Sequence, residues 1–424
     1  MIRIIKDDIN DRKDIFSVTA ERADVAAIVR EIVERVKNEG DEALLYYTEK
    51  FDKAKLASLK VSEAEIEEAV ASVEPTFLEI LKKAAANIRA FHELQKREGF
   101  ELKRENGVIV GQKVIPVDCA GIYVPGGTAA YPSTVLMDSI PAVVAGCKRV
   151  VMVTPPNAAG KVNPVILAAA SVAGVTEIYK VGGAQAVAAL AYGTETVPKT
   201  DKIVGPGNAF VAEAKRQVFG QVSIDMIAGP SEIMIVADAT NRAKDIACDL
   251  LSQAEHDRLA SAVLATDSYA FALAVADEIE KQIPLLERSE IARASIDNNG
   301  KIIVTDSIES AIEIANGIAP EHLELCLDEP FAYLDKIRHA GSVFLGKNCP
   351  EAIGDYYAGA NHTLPTSGTA RFSSPLSVDD FIKKTQYIYY DRNALESVCK
   401  EVEYFAKKEG LTAHARSAVV RFED

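Results

Sequence analysis

Glu321 and His322 stand side by side after Pro320, and an adjacent carboxylate and imidazole act as base and proton acceptor when their surroundings separate their pKa values. A plain surface pair accounts for the same dipeptide. Gln253 and His256 are spaced i, i+3 at the end of a helix predicted over 242–256, so an amide oxygen and an imidazole share one face and could share a cation. A solvated helix end explains that pair equally well. Asp355 and His362 fall in 354–366, a glycine-punctuated stretch with no hydrophobic period, which reads as a loop of the kind that carries function. His414 follows Glu409 and Gly410 at a predicted helix start. Of the six histidines, His92 and His339 sit in ordinary helical or connecting sequence and read as structural. His256 and His414 with the oxygen donors Gln253 and Asp355 form a chemically sensible zinc set, because zinc accepts nitrogen and oxygen ligands. Spacing leaves open whether these residues converge.

Three glycine-rich turns follow predicted strands: Pro125–Gly127, Gly182-Gly183-Ala184-Gln185 and Gly205-Pro206-Gly207-Asn208. Glycine after a strand lets backbone N–H groups approach a phosphate at a helix N-terminus. None of the three matches GxGxxG, and each alone is explained as well by a tight turn that needs positive φ. Three in one region favour a nucleotide-type ligand.

The elements that must position these residues come in three textures. Residues 1–22 are polar and mixed and read as an arm, and the chain up to about residue 100 is mainly helical, with apolar residues at helical spacing over 24–36, 62–70 and 77–94. Short apolar runs at 108–116 and 120–124 open a regular strand–helix alternation: strands at 149–153, 177–181 and 202–204, helices at 164–172, 184–191 and 209–218. A second series follows, with strands at 232–237, 262–265, 301–304, 323–327 and 342–345, helices at 242–256, 270–282 and 308–318, and a turn at 297–300. Such alternation calls for parallel sheets covered on both faces. From residue 377 the pattern reads as helical again, over 394–408 with Gly410 as its C-terminal cap and after Thr412.

Lys+Arg 47 against Asp+Glu 62 gives a net charge of −15, which argues against a polyanionic partner. The longest apolar run, Val165–Val175, contains Ser171 and Gly174 and falls short of the roughly 18 residues of a membrane helix. The opening residues show no signal-peptide apolar region, so a cytoplasmic protein is expected. Cys119, Cys147, Cys248, Cys326, Cys349 and Cys399 are widely spaced without a CxxC pair and read as reduced thiols.

GIYVPGG (121–127), VGGAQAVAALAYGTETVP (181–198), DKIVGPGNAFVAEAKRQV (201–218), IDMIAGPSEI (224–233), LLSQAEHD (250–257), IAPEHLEL (318–325), GDYYAGANHTLPT (354–366) and EGLTAHARS (409–417) make most of the chain resemble the histidinol dehydrogenase family. The resemblance implies a zinc- and NAD-dependent oxidation of L-histidinol through L-histidinal to L-histidine, the last two steps of histidine biosynthesis, with two NAD reduced at one site. It implies Gln253, His256, Asp355 and His414 as ligands of one zinc per subunit. His322 becomes the acid/base for the alcohol proton and Glu321 the residue that activates water for aldehyde hydration. Ser231, His362 and Glu409 would contact histidinol, beside the zinc ligands and His322, while Tyr123, Gln185 and Asn208 would contact NAD. The implied fold has two Rossmann-like parallel-sheet α/β domains in an aldehyde-dehydrogenase-like arrangement, with small helical N- and C-terminal segments. Its expected divisions are an arm (1–22), a discontinuous catalytic domain (23–120 and 237–375), an NAD-binding domain (121–236) and a C-terminal helical dimerisation segment (376–424). The implied assembly is a homodimer in which Glu409 and His414 complete the partner's site.

Two rival enzymes stay in view. A relative acting on another polar alcohol, such as a sulfonated diol, would keep the zinc and NAD residues but change those holding imidazole and amine. An aldehyde dehydrogenase using a cysteine thiolate would need Cys119 or Cys147, and the apolar setting of Cys147 favours an inert thiol. A nucleotide-binding regulatory module would need neither the Glu-His pair nor a metal.

Overall fold

The strands, in chain order, are β1 (Arg3–Lys6), β2 (Phe100–Lys103), β3 (Ile109–Pro116), β4 (Cys119–Tyr123), β5 (Arg149–Thr154), β6 (Glu177–Lys180), β7 (Lys202–Val204), β8 (Ser223–Ile224), β9 (Glu232–Ala237), β10 (Ser261–Thr266), β11 (Lys301–Val304), β12 (His322–Cys326), β13 (Ser342–Leu345) and β14 (Ile382–Tyr389). They belong to a computed structural model that describes residues 2–8, 13–17, 24–126, 130–175 and 177–423. Gly127, the last residue of the first glycine turn, and part of the 1–22 arm lie outside the described residues.

One compact unit comprises Met1–Gln95 and Val117–Phe381. It holds two parallel sheets. In the six-stranded sheet, of order β1-β11-β10-β9-β12-β13, consecutive residues of one strand serve opposite faces. Ile233 and Ile235 of β9 pack with the helices Ala243–Ala254, Tyr269–Gln282 and Ser289–Asn299, whereas Met234 and Val236 pack with Ile308–Ile318. Both faces are therefore dry, as a parallel sheet requires. The five-stranded sheet has the order β6-β5-β4-β7-β8. One face carries Tyr123, Val153, Tyr179 and Ile203 against the helices Ala26–Glu39, Gly183–Tyr192 and Ala209–Val218.

A second unit comprises Lys96–Pro116 and Ile382–Asp424. Its sheet is antiparallel, of order β14-β3-β2, followed by the helices Arg392–Lys408 and Thr412–Val419. Asp391 caps the first of these, accepting from the Ala394 N–H at 2.7 Å. Gly410 ends it at φ +77° with Leu411 N–H on Ala406 O at 2.8 Å, the glycine-terminated cap expected there.

Several local expectations change. Arg3–Lys6 pairs in parallel with β11, so part of the 1–22 stretch extends a sheet. Residues 297–300 are not a free turn but the end of the helix Ser289–Asn299. Its buried positions include Ser295 and Asn299, which bond to Ala260 O and Leu259 O at 2.9 Å each, so the helix has no apolar stripe to announce it. Ile382–Tyr389 is a strand within a stretch read as helical; it carries Thr and Tyr side chains suited to pairing, and exposure along its length hides the period of two.

Candidate active site

The carboxyl ends of the five-stranded sheet surround a cavity of about 680 Å³ lined by, among others, Tyr123, Gln185 and Asn208. Tyr123 ends β4; its hydroxyl accepts from Gly183 N–H at 3.1 Å, and burial pushes the phenol up to about 12. Gln185 lies in the first turn of Gly183–Tyr192 and is buried. Asn208 Oδ1 accepts from Phe210 N–H at 3.0 Å and Val211 N–H at 3.2 Å, capping Ala209–Val218 and leaving the amide NH₂ as its remaining donor. Two glycines are needed here. Gly205 has φ +116°, and a Cβ on it would lie 2.1 Å from Tyr123 O, while a Cβ on Gly182 would lie 2.6 Å from Pro155 Cβ.

A different chemistry gathers at the amino ends of β9, β12 and β13, which are in register with one another through His322↔Ile233 and His322↔Ser342. The backbone of Glu232 holds the Glu-His pair with both of its groups: its N–H donates to Glu321 Oε2 at 2.9 Å, and its carbonyl accepts from His322 Nδ1 at 3.0 Å. With Nδ1–H committed, neutral His322 carries its lone pair on Nε2. That atom is buried without a hydrogen-bond partner, 3.5 Å from Asp355 Oδ1. His362 Nδ1 lies 3.7 Å from the same oxygen, and its Nε2 is 3.5 Å from Thr134 Oγ1 on the helix Pro132–Ala145. The stretch beside it is stitched to that helix by Asn361 Nδ2 on Met137 O (2.7 Å) and Thr363 Oγ1 on Asp138 Oδ1 (2.6 Å).

Asp355 belongs to a short helix, Glu351–Tyr356, rather than to a loop; Pro350 starts it, and six residues with a glycine inside are too few to show a period. One turn earlier stands Glu351, which sequence reading missed. Its Oε2 accepts from Ser252 Oγ at 2.5 Å. The i, i+4 spacing of two acids was the available signal. Gln253 lies at the end of the helix Ala243–Ala254, buried, with Oε1 unpartnered. His256 lies past that helix in a turn closed by its N–H on Gln253 O at 3.1 Å. Ser231 directly precedes Glu232, and its carbonyl accepts from Ser261 N–H at 3.0 Å. Glu409 and His414 belong to the second unit, where both are exposed.

Charge is unevenly distributed over this cluster. Burial alone would raise Asp355, but the imidazoles of His322, His362 and His256 outweigh it and hold the carboxyl at about 2. Burial would lower His322, and the carboxylates of Glu321 and Asp355 instead push it up to about 10. Burial lifts Glu321 to about 8 against the opposing charge of His322, and lifts Glu351 to about 7 with Asp355 adding to it. His256 and His362 are lowered chiefly by burial.

These donors suit a divalent cation. Gln253 Oε1 and His322 Nε2 are buried and unpartnered, a state that costs free energy unless something binds there. Ligand atoms of His322, Glu351 and Asp355 all lie within 4.8 Å of one another, a set that shares only Asp355 with the ligands the resemblance implies, and mixed nitrogen and oxygen donors match a borderline ion such as zinc. The thiols offer no competing centre: burial pushes Cys119 up to about 11 and Cys147 up to about 12, which disfavours a reactive thiolate.

Two parallel sheets, a cavity at the carboxyl ends of one and a buried imidazole–carboxylate centre at the amino ends of the other make an α/β fold with an enzyme-like centre. The sequence profile of histidinol dehydrogenase matches residues 17–422, and the chain belongs to that family. It is 54% identical over 422 residues to the histidinol dehydrogenase of Geobacillus kaustophilus, covering 100% of this chain and 99% of that protein. Identity to the Clostridium acetobutylicum histidinol dehydrogenase is also 54%, over 428 residues, with 100% and 99% covered. The crystal structure of histidinol dehydrogenase from Elizabethkingia anophelis superposes with a TM-score of 0.94 at 41% identity, covering 100% of this chain and 98% of that one.

Proposed function

We propose that the protein oxidises L-histidinol through L-histidinal to L-histidine, the last two steps of histidine biosynthesis, reducing two NAD at one zinc-dependent site. The observation that carries this reading is the Glu-His pair clamped by the Glu232 backbone, with His322 Nε2 left free beside Asp355.

Oxidation of an alcohol to an aldehyde removes a hydride from carbon and a proton from oxygen while a C=O bond forms. His322 Nε2 takes the proton, its ring fixed by the bond from Nδ1 to Glu232 O. Glu321, anchored on Glu232 N–H, takes a proton from the water that adds to the aldehyde while His322 returns its proton to the former carbonyl oxygen; this forms the hydrate, which carries the C–H bond that gives up the second hydride, and frees Nε2 again. His322 then accepts the hydrate's hydroxyl proton as the acid forms. Ser231 and His362 hold the substrate. Tyr123, Gln185 and Asn208 would hold NAD, which would supply the acceptor for each hydride. Gln253, His256, Asp355 and His414 would hold the zinc, which would supply positive charge to offset the carboxylate field on His322 and to orient the substrate's nitrogens.

The working protein is a homodimer in this reading, with Glu409 and His414 supplied by the C-terminal unit of the other subunit. Gln253, His256 and Asp355 lie in the first unit, and in this reading His414 of the other subunit would join them as a ligand. Exposed Tyr404 and Phe405 beside Glu409, at 65% and 67% accessibility, suit a surface that a second copy covers. Cytoplasmic placement is supported by six free cysteines and by the absence, among the described residues, of any helix long and apolar enough to cross a membrane.

The test is the stoichiometry of NADH formed from L-histidinol in excess NAD. Two NADH per histidinol, lost on chelation and restored by zinc, are expected. A single NADH, or turnover indifferent to chelation, overturns the four-electron zinc reading.

A further inference from the structure

The cavity over the five-stranded sheet contains one ionisable group that nothing above uses. Asp52 is the last residue of the helix Asp41–Asp52 and lines the cavity next to Phe51. Its Oδ2 is buried and has no hydrogen-bond partner. A carboxylate so placed costs free energy unless a donor reaches it. No Lys, Arg or His lines the cavity among the described residues. The neighbouring Lys53, held at φ +60° beyond the helix end, turns its ammonium onto Lys50 O at 2.8 Å. Asp52 therefore sits at the negative end of a helix dipole, in a wall with no cation to oppose it.

We propose that Asp52 selects the cofactor, its carboxylate accepting hydrogen bonds from ribose hydroxyls of NAD and repelling the 2′-phosphate of NADP. This rests on the reading that the cavity holds the dinucleotide. The two cofactors differ by a phosphate monoester that is close to dianionic at neutral pH. A site that accepts it supplies arginine or lysine, and a site that refuses it presents an acid to the free hydroxyls. The cavity has the second character. A pyrophosphate has another place to go, since the N-terminus of Gly183–Tyr192 opens on the same cavity through Gly183, Ala184 and Gln185. Burial holds the Asp52 carboxyl up at about 6, so it is mainly ionised at neutral pH, and bound hydroxyls favour that form further.

The experiment measures kcat/KM for NAD and NADP in the wild type, Asp52→Asn and Asp52→Ala, with direct titration of adenosine 5′-monophosphate and adenosine 2′,5′-bisphosphate by calorimetry. In the wild type the bisphosphate binds at least about tenfold more weakly than the monophosphate. In both variants KM for NAD rises about tenfold, and the NADP-to-NAD ratio of kcat/KM rises by at least that factor. Calorimetry keeps the test open if either variant turns over poorly. An unchanged cofactor ratio in both variants, with bisphosphate and monophosphate still discriminated as in the wild type, overturns the role of Asp52. Gln185→Ala separates the two ideas: loss of nucleotide binding there, beside indifferent Asp52 variants, keeps the cavity as the dinucleotide site and removes only the selection. Indifference in all three variants overturns the cavity reading as well.

Discussion

The two parallel sheets of the first unit use opposite edges. In the five-stranded sheet the chain runs from β4 outward to β5 and β6, then returns to the other side as β7 and β8. Its cavity lies at the carboxyl ends beside that reversal, where α/β sheets generally take ligands. The six-stranded sheet reverses in the same way at β9, yet its titratable centre gathers at the amino ends, on Glu321, His322 and the backbone of Glu232. One edge offers shape, with glycines, a helix N-terminus and a single acid. The other offers charge, with three imidazoles and several carboxylates in one buried cluster. Sheet topology therefore locates the first site and gives no guidance to the second, whose position follows from strand register and the Glu351–Tyr356 helix.

The comparison breaks most visibly at His322. His322→Asn keeps a donor for Glu232 O but removes the base, and kcat falls about 10²- to 10⁴-fold while KM for NAD stays within about twofold, because His322 is not part of the cavity wall. A loss under tenfold would place the base elsewhere. A smaller effect tests the other edge. Gly182→Ala puts a Cβ 2.6 Å from Pro155, and overpacking of that kind costs about 1–3 kcal/mol; a several-fold rise in KM for NAD with zinc content unchanged is expected. Zinc loss in that variant would show that the two edges are not independent. The smallest effect belongs to Cys147→Ala, where activity stays within about twofold because the thiol is held protonated. A collapse of turnover with the fold preserved would restore the thiolate mechanism.

What was legible in the sequence divides along the same line. Strands such as Lys202–Val204 and Ser342–Leu345 and the helices Ala209–Val218 and Ile308–Ile318 were bounded to the residue, because they bury continuous or periodic apolar faces. Ser289–Asn299 was lost because half of its buried face is polar, and β14 because most of its residues face solvent. Motif resemblance named Glu321, His322, Asp355 and His362, which the structure brings within one cluster. Glu351 escaped because its one sequence signal, an acid four residues before Asp355, does not set it apart among the chain's many acids; its burial and its bond to Ser252 do. For Glu409 and His414 the chain provides exposure and nothing further.

The bond from His322 Nδ1 ends on a main-chain carbonyl, not on the Glu232 side chain. Every amino acid brings that carbonyl, so drift at position 232 can change the acid, its charge and its volume without switching which imidazole nitrogen carries the proton. The tautomer is thereby insulated from point mutation of its own partner, and only changes that shift strand β9 against β12 can reach it.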